Sequence, residues 1–234
     1  MSNDAYASSE VPDTSVVWVD LSIGDPDNYK ILKAAFSSTT DPEHAKPVPL
    51  FDHEFLEICR TVNFEGIQFS LAAFTNIEKC IEYLKENRHR KIFLITSASM
   101  GRSLLPLIEL HCRNVFTDQE TNELCACVYV FCHDATRHID WMMDYIDYIP
   151  TTFTFDKDLL VRLVHDIANY FRIKSIRLLA KNPRDYSVIK SHLNWAFILY
   201  QRYYELDKIG LKEQVNEVKR LLNEIEEIVK EKEV

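Results

Sequence analysis

Five short apolar runs, each closed by a polar loop and separated by helical patterns, constrain this chain more than any other feature of it. They are Val16–Leu21 (VVWVDL), Ile67–Ala72, Ile92–Ile95, Cys127–Cys132 (CVYVFC) and Thr151–Phe155. Runs of this length, rich in β-branched and aromatic residues, read as strands. Between and after them stand stripes at helical spacing: Ile77, Ile81 and Leu84, then Leu104, Leu107, Ile108 and Leu110, then Leu159, Leu160, Leu163, Val164 and Ile167. The first, third and fourth runs lack an in/out alternation, which is what strands covered on both faces look like.

Alternating strands and helices predict a parallel sheet with helices on both sides, and right-handed crossovers leave few ways to wind it. The expected architecture is α/β: a flavodoxin-like three-layer sandwich over residues 15–172, with a five-stranded parallel sheet in the order 2-1-3-4-5. Local signals fill in the helix starts. Asp27 or Asn28 caps a helix reaching about Phe36, and Thr75-Asn-Ile-Glu78 reads as a capping box. Asp156 caps the helix after the fifth strand, and another helix is expected over Ala135–Tyr145. The spacing of Phe51, Phe55, Ile58 and Val62 suits a helix within Leu50–Val62. Ser37–Pro49 reads as an inserted loop and residues 1–14 as a disordered lead.

Residues 173–234 form a helical extension. Ser187–Leu206 is long and aromatic-rich, with Gly210 placed to cap it in the left-handed conformation. The last helix sets Leu211, Val215, Val218, Leu222, Ile225 and Val229 at spacings of 4, 3, 4, 3 and 4, a heptad seam widened by Leu221 and Ile228. Two helices joined at a glycine predict an antiparallel hairpin. Its seam needs a covering surface, either the sandwich itself or another chain.

Composition narrows the function classes. A hydrophobic content of 47% with only 4 glycines and 8 prolines describes a globular chain. The net charge of −9 disfavours nucleic acid as a partner. No run is long enough to span a bilayer, and no signal-peptide pattern opens the sequence, so a cytoplasmic location without a membrane partner is expected. The six cysteines sit mostly inside apolar patterns, which suits small buried hydrophobes in a reducing compartment. Cys125 and Cys127 would share one face of a strand, and with no second pair at zinc spacing no metal site is assigned.

In a sheet wound this way, a crevice opens outside the carboxyl ends of the first and third strands, where the winding reverses. The sequence places Asp20, Ser22 and Gly24 at one of those ends and Ser97, Ser99, Gly101 and Arg102 at the other, with His133 and Asp134 after the fourth strand. Small hydroxyl residues before a helix present amides to an anion, and an arginine adds a bidentate contact. The same residues can simply cap the helix and ease a turn. His133-Asp134 with His138 and Asp140 suits a solvated helix entrance, and Cys132 lies beside His133 on a strand where neighbouring side chains point apart.

The topology resembles that of receiver domains, which are phosphorylated on an aspartate ending the third strand. Here the first strand ends on Asp20, as the resemblance implies, but the third ends in Thr96-Ser97 and the fifth in Phe155-Asp156 before Lys157. Aspartyl phosphorylation is therefore not expected, and the chain resembles a degenerate receiver. The segments VVWVD at 16–20, FTNIEKCIEYL at 74–84, IFLITSASMGRSLLPLI at 92–108, VYVFCHDATRHIDW at 128–141 and TTFTFDKDLLVRLV at 151–164 are similar to a sandwich domain that recurs in multidomain invertebrate proteins. There it stands beside ADP-ribosyltransferase or tetratricopeptide modules. That resemblance implies a regulatory or interaction module and brings no catalytic residue with it.

Two readings follow. One is a non-enzymatic interaction or regulatory module, without a cofactor, that assembles through the heptad seam. The other is a small enzyme or sensor binding a nucleotide or other phosphorylated ligand at the first and third strand ends. A polar lead and exposed heptads would also suit a piece of a longer protein.

Overall fold

The computed structural model describes residues 13–38, 50–52, 54 and 56–232. Backbone pairing gathers seven strands into one mostly parallel sheet, in the order β2-β3-β4-β1-β5-β6-β7. The strands are β1 (Thr14–Val19), β2 (Phe36–Ser38), β3 (Arg60–Phe64), β4 (Ile67–Phe74), β5 (Lys91–Ser97), β6 (Val128–Phe131) and β7 (Thr152–Phe153). The helices are α1 (Lys30–Ala34), α2 (Ile77–Glu86), α3 (Ala98–His111), α4 (Ile139–Met143), α5 (Asp156–Ala180), α6 (Tyr186–Asp207) and α7 (Lys212–Lys232).

The expected five-stranded sheet and its order are thereby corrected for the whole sheet. The five expected segments do run side by side, β1 pairing in parallel with β4 and β5, β5 with β6, and β6 with β7. Two further strands lie beyond β4, and β2 pairs antiparallel with β3. Part of the segment Leu50–Val62, expected as a helix, is thus the start of β3: Arg60–Val62 belong to that strand, and Val62 pairs with Ser38 of β2. Glu65 and Gly66, at φ 49° and 95°, make the tight turn into β4. Positive φ at both central residues matches the twist of a two-residue hairpin.

Several helix boundaries move for identifiable reasons. The cap of α2 is Asn76, whose side chain accepts the Lys79 amide at 3.0 Å, so Thr75 is not the capping residue. Tyr29 in the left-handed conformation precedes α1, and Asp27 and Asn28 are taken up by the Asp25 carboxylate in the turn before it. The expected helix over Ala135–Tyr145 breaks into a 3-10 turn at Ala135–Arg137 and the short α4. Lys208 at φ 60° ends α6, where Gly210 was expected to do so. The expected lead at 1–14 lies outside the described residues as far as residue 12, and Thr14 already belongs to β1. Residues 39–49 of the expected inserted loop also lie outside the described residues.

The chain divides into two compact units. One, residues 11–64 and 68–160, holds the sheet, with Val16–Val19 of β1 and Ile92–Ile95 of β5 almost fully buried at its centre. The other holds Glu65–Ile67 and the helical chain from Val161 onward. The boundary expected at 172/173 falls inside α5, which runs unbroken for 25 residues.

In the helical unit, α5, α6 and α7 pack together. Phe171 of α5 stacks on His192 and meets Trp195 of α6 at ring-centre distances of 5.5 and 5.1 Å. Arg172 donates to the Tyr200 hydroxyl at 3.2 Å and pairs with Glu217 of α7. Lys190 pairs with Glu226 at 2.9 Å and Lys219 lies over Phe197, which fixes α6 and α7 as antiparallel neighbours. Val218, Leu221 and Ile225 are buried.

Candidate functional site

The parallel pairing of β1 with β5 brings Val19 opposite Thr96, so the loops after both strands share one rim of the sheet. The chain leaves β1 toward β2 and β3 on one side, whereas α2 carries it from β4 past β1 to β5 on the other. Crevices form where connections diverge in this way. At this rim lies an open cleft of about 770 Å³. Its walls come from the loops after β1, β5, β6 and β7, and pockets of that size suit a small organic ligand.

One wall is the start of α3. Ser97, Ala98 and Ser99 line the cleft, and the Ser97 and Ser99 hydroxyl oxygens are 3.3 Å apart. Ser97 is the capping residue yet makes no side-chain capping bond among the described residues. The first amides of this 14-residue helix are not taken up by that side chain, and a helix start favours negative charge. Gly101 stands behind this wall. A Cβ there would lie 2.9 Å from the Trp141 ring and 3.2 Å from Thr96 Cγ2, so its lack of a side chain lets α3 approach Trp141.

The opposite wall is built around Asp20. This buried carboxylate accepts the Ser22 amide at 2.6 Å and the Tyr29 hydroxyl at 2.8 Å. It shapes the loop after β1 and does not itself line the cleft, whereas Ser22 and Tyr29 do. Burial first, and the Asp20 charge second, push the Tyr29 hydroxyl far above the usual phenol value. Asp156, the first residue of α5, accepts the Ile31 and Leu32 amides at 2.8 and 3.3 Å and so caps α1 from across the cleft.

His133, Asp134, Arg137 and His138 form the third side. Asp134 accepts the Thr136 hydroxyl at 2.5 Å and pairs with Arg137 at 2.8 Å; the Thr136 bond, more than the neighbouring cation, holds its carboxyl below the usual range. The Trp141 indole donates to His138 Nδ1 at 3.3 Å, and the His133 ring meets Phe131 edge-on. Burial pushes the Cys132 thiol up, which opposes a thiolate nucleophile. Among the described residues, no group of three or more histidine, cysteine, aspartate and glutamate side chains gathers as metal ligands.

Of the nine residues expected at the site, Ser22, Ser97, Ser99, His133 and Asp134 line the cleft. Asp20 and Gly101 support it from behind, and neither Gly24 nor the exposed Arg102 lines it. Arg102 is a residue of α3, one turn beyond the lining residues Ala98 and Ser99. The sequence carries no signal for Tyr29, since only the fold brings it to Asp20. Arg137 and His138 are different: they follow the fourth strand within the same polar stretch as His133. Comparison with protein-family models, with curated proteins and with solved structures finds no match.

Proposed function

We propose that this chain is a non-enzymatic regulatory module of flavodoxin-like, receiver-like topology whose cleft takes a small anionic ligand of the nucleotide or phosphorylated-metabolite class. The reading is carried by one observation: the start of α3, with Ser97 and Ser99, opens into the cleft facing His133, Arg137 and His138. Each acid of the lining already has an internal partner. Asp27 pairs with Lys30 at 2.7 Å, Asp134 with Arg137, and Asp156 with the α1 amides. That leaves the helix start and the two imidazoles to meet the ligand's charge, with the Phe131 and Tyr29 rings beside its apolar part.

The same side chains argue for binding without turnover. Asp20, the one carboxylate buried under the rim among the described residues, is occupied by Tyr29 and Ser22. The third of the expected strands, β5, ends on Ser97, where a receiver would carry its phospho-acceptor. Of the heptad seam, α7 turns Val218 and Ile225 inward within its own unit, while Leu211, Val215, Leu222 and Val229 are half-buried and are the part that assembly would use.

A thermal-shift panel of nucleotides and sugar phosphates on the intact chain tests the binding. A ligand held at a hundredfold excess over its Kd stabilises by about 2.7 kcal/mol, or a melting shift on the order of 5 °C. Ser99→Asp, which sets a carboxylate at the helix start, is expected to abolish the shift. Arg102→Ala, off the cleft, is expected to leave it intact. A flat panel with the chain folded, or a shift that survives Ser99→Asp, defeats the proposal.

A further inference from the structure

At the other rim of the sheet, where β5 and β6 begin, Cys125 and Cys127 stand on a turn that no strand includes. The Cys127 amide donates to the Cys125 carbonyl at 2.9 Å, closing a three-residue γ-turn where an extended strand was expected. The turn is pinned on both sides. The Cys125 amide donates to the Phe116 carbonyl at 2.6 Å, and the Cys127 carbonyl accepts the Leu94 amide at 2.9 Å. A turn closed this tightly holds its outer Cα atoms within the roughly 4.4–6.8 Å that a disulfide spans. Both side chains are thiols here, Cys125 half-buried and Cys127 buried.

A cation completes the group. Lys91, at the start of β5, donates from Nζ to Cys127 Sγ at 3.6 Å, and the Cys125 thiol is near enough to act on its charge. Burial would lower the Lys91 ammonium, yet the two sulfurs beside it raise it overall. A neighbouring lysine activates a cysteine because the thiolate is the reacting form. A pair of cysteines serving only as buried filler needs neither the closed turn nor the ammonium.

We propose that Cys125 and Cys127 are a redox-active dithiol that closes to a disulfide with a peroxide as oxidant, the Lys91 ammonium standing beside the pair. The half-buried Cys125 sulfur attacks a peroxide oxygen; an S–O bond forms, the O–O bond breaks and hydroxide leaves with a proton as water. Cys127 Sγ then attacks the sulfenic sulfur, forming the S–S bond as the S–O bond breaks and a second water departs. Two thiols are oxidised and one peroxide is reduced, and a thiol reductant reverses the change.

The full chain, reduced and then treated with equimolar hydrogen peroxide, is alkylated, digested and read by mass spectrometry. The expected product is a peptide lighter by two hydrogens, linking Cys125 to Cys127 and restored by dithiothreitol. Lys91→Met is expected to slow closure on the order of tenfold at neutral pH. Cys125→Ser, a near-isosteric change at a half-buried position, is expected to protect Cys127 from oxidation. The inference is overturned if both thiols stay alkylatable while the exposed Cys59 oxidises. It is equally overturned if Cys127 oxidises as fast in Cys125→Ser as in the unaltered chain.

Discussion

Gly101 shows how one absent side chain sets the cleft wall. With α3 held against Trp141, Gly101→Ala drives a Cβ to 2.9 Å from the indole, and either the ring or the helix must shift. The expected cost is about 1–3 kcal/mol, read as a lower urea midpoint with an unchanged slope. Indole fluorescence would report the displaced Trp141. Asp20 carries the opposite lesson. An acid ending the first strand is legible in the sequence as a site residue, but its carboxylate is committed to the Ser22 amide and the Tyr29 hydroxyl. Sequence marks the residue type and the strand end; the partner that occupies it is a tertiary fact.

Among the elements, α7 best separates pattern from use. The heptad spacing was legible, and so was the hairpin with α6, because both follow from local periodicity. What covers the seam was not, since a stripe of this kind packs equally well on its own chain or on another. Here Lys190–Glu226 and the Lys219–Phe197 contact lay α7 along α6, and Val218 and Ile225 are 0% and 1% exposed. Light scattering is accordingly expected to give a monomer mass for the intact chain. A chain ending at residue 208 is expected to self-associate, having lost the helix that covers α6. An oligomer of the intact chain would show that the half-buried Leu211, Val215, Leu222 and Val229 find a partner outside. The added strands β2 and β3 were illegible for a related reason: three- and five-residue segments carry too little periodicity to compete with a helical spacing.

For the molecule as a whole, three buried or half-buried phenols set an alkaline limit. Tyr29, Tyr83 and Tyr148 are each held well above the ordinary value of about 10, by burial first and then by Asp20, the Cys59 bond and Glu109 respectively. The folded chain therefore keeps protons that the unfolded chain gives up. Their contribution is fully present below about pH 10 and is lost as pH rises above it. Urea midpoints are expected to fall between about pH 9 and about pH 11, and Tyr29→Phe is expected to flatten that fall; a midpoint that holds steady contradicts it. The parallel run of strands and the rim they share were readable from the alternation of apolar runs, whereas Tyr29, which braces that rim through Asp20, was not. The amides opening α1 rest on Asp156, 125 positions downstream. During synthesis, a ribosome releases that short helix long before its anchor emerges, so the wall of the cleft is among the last parts to settle, and an isolated peptide spanning residues 20–36 would stay a coil.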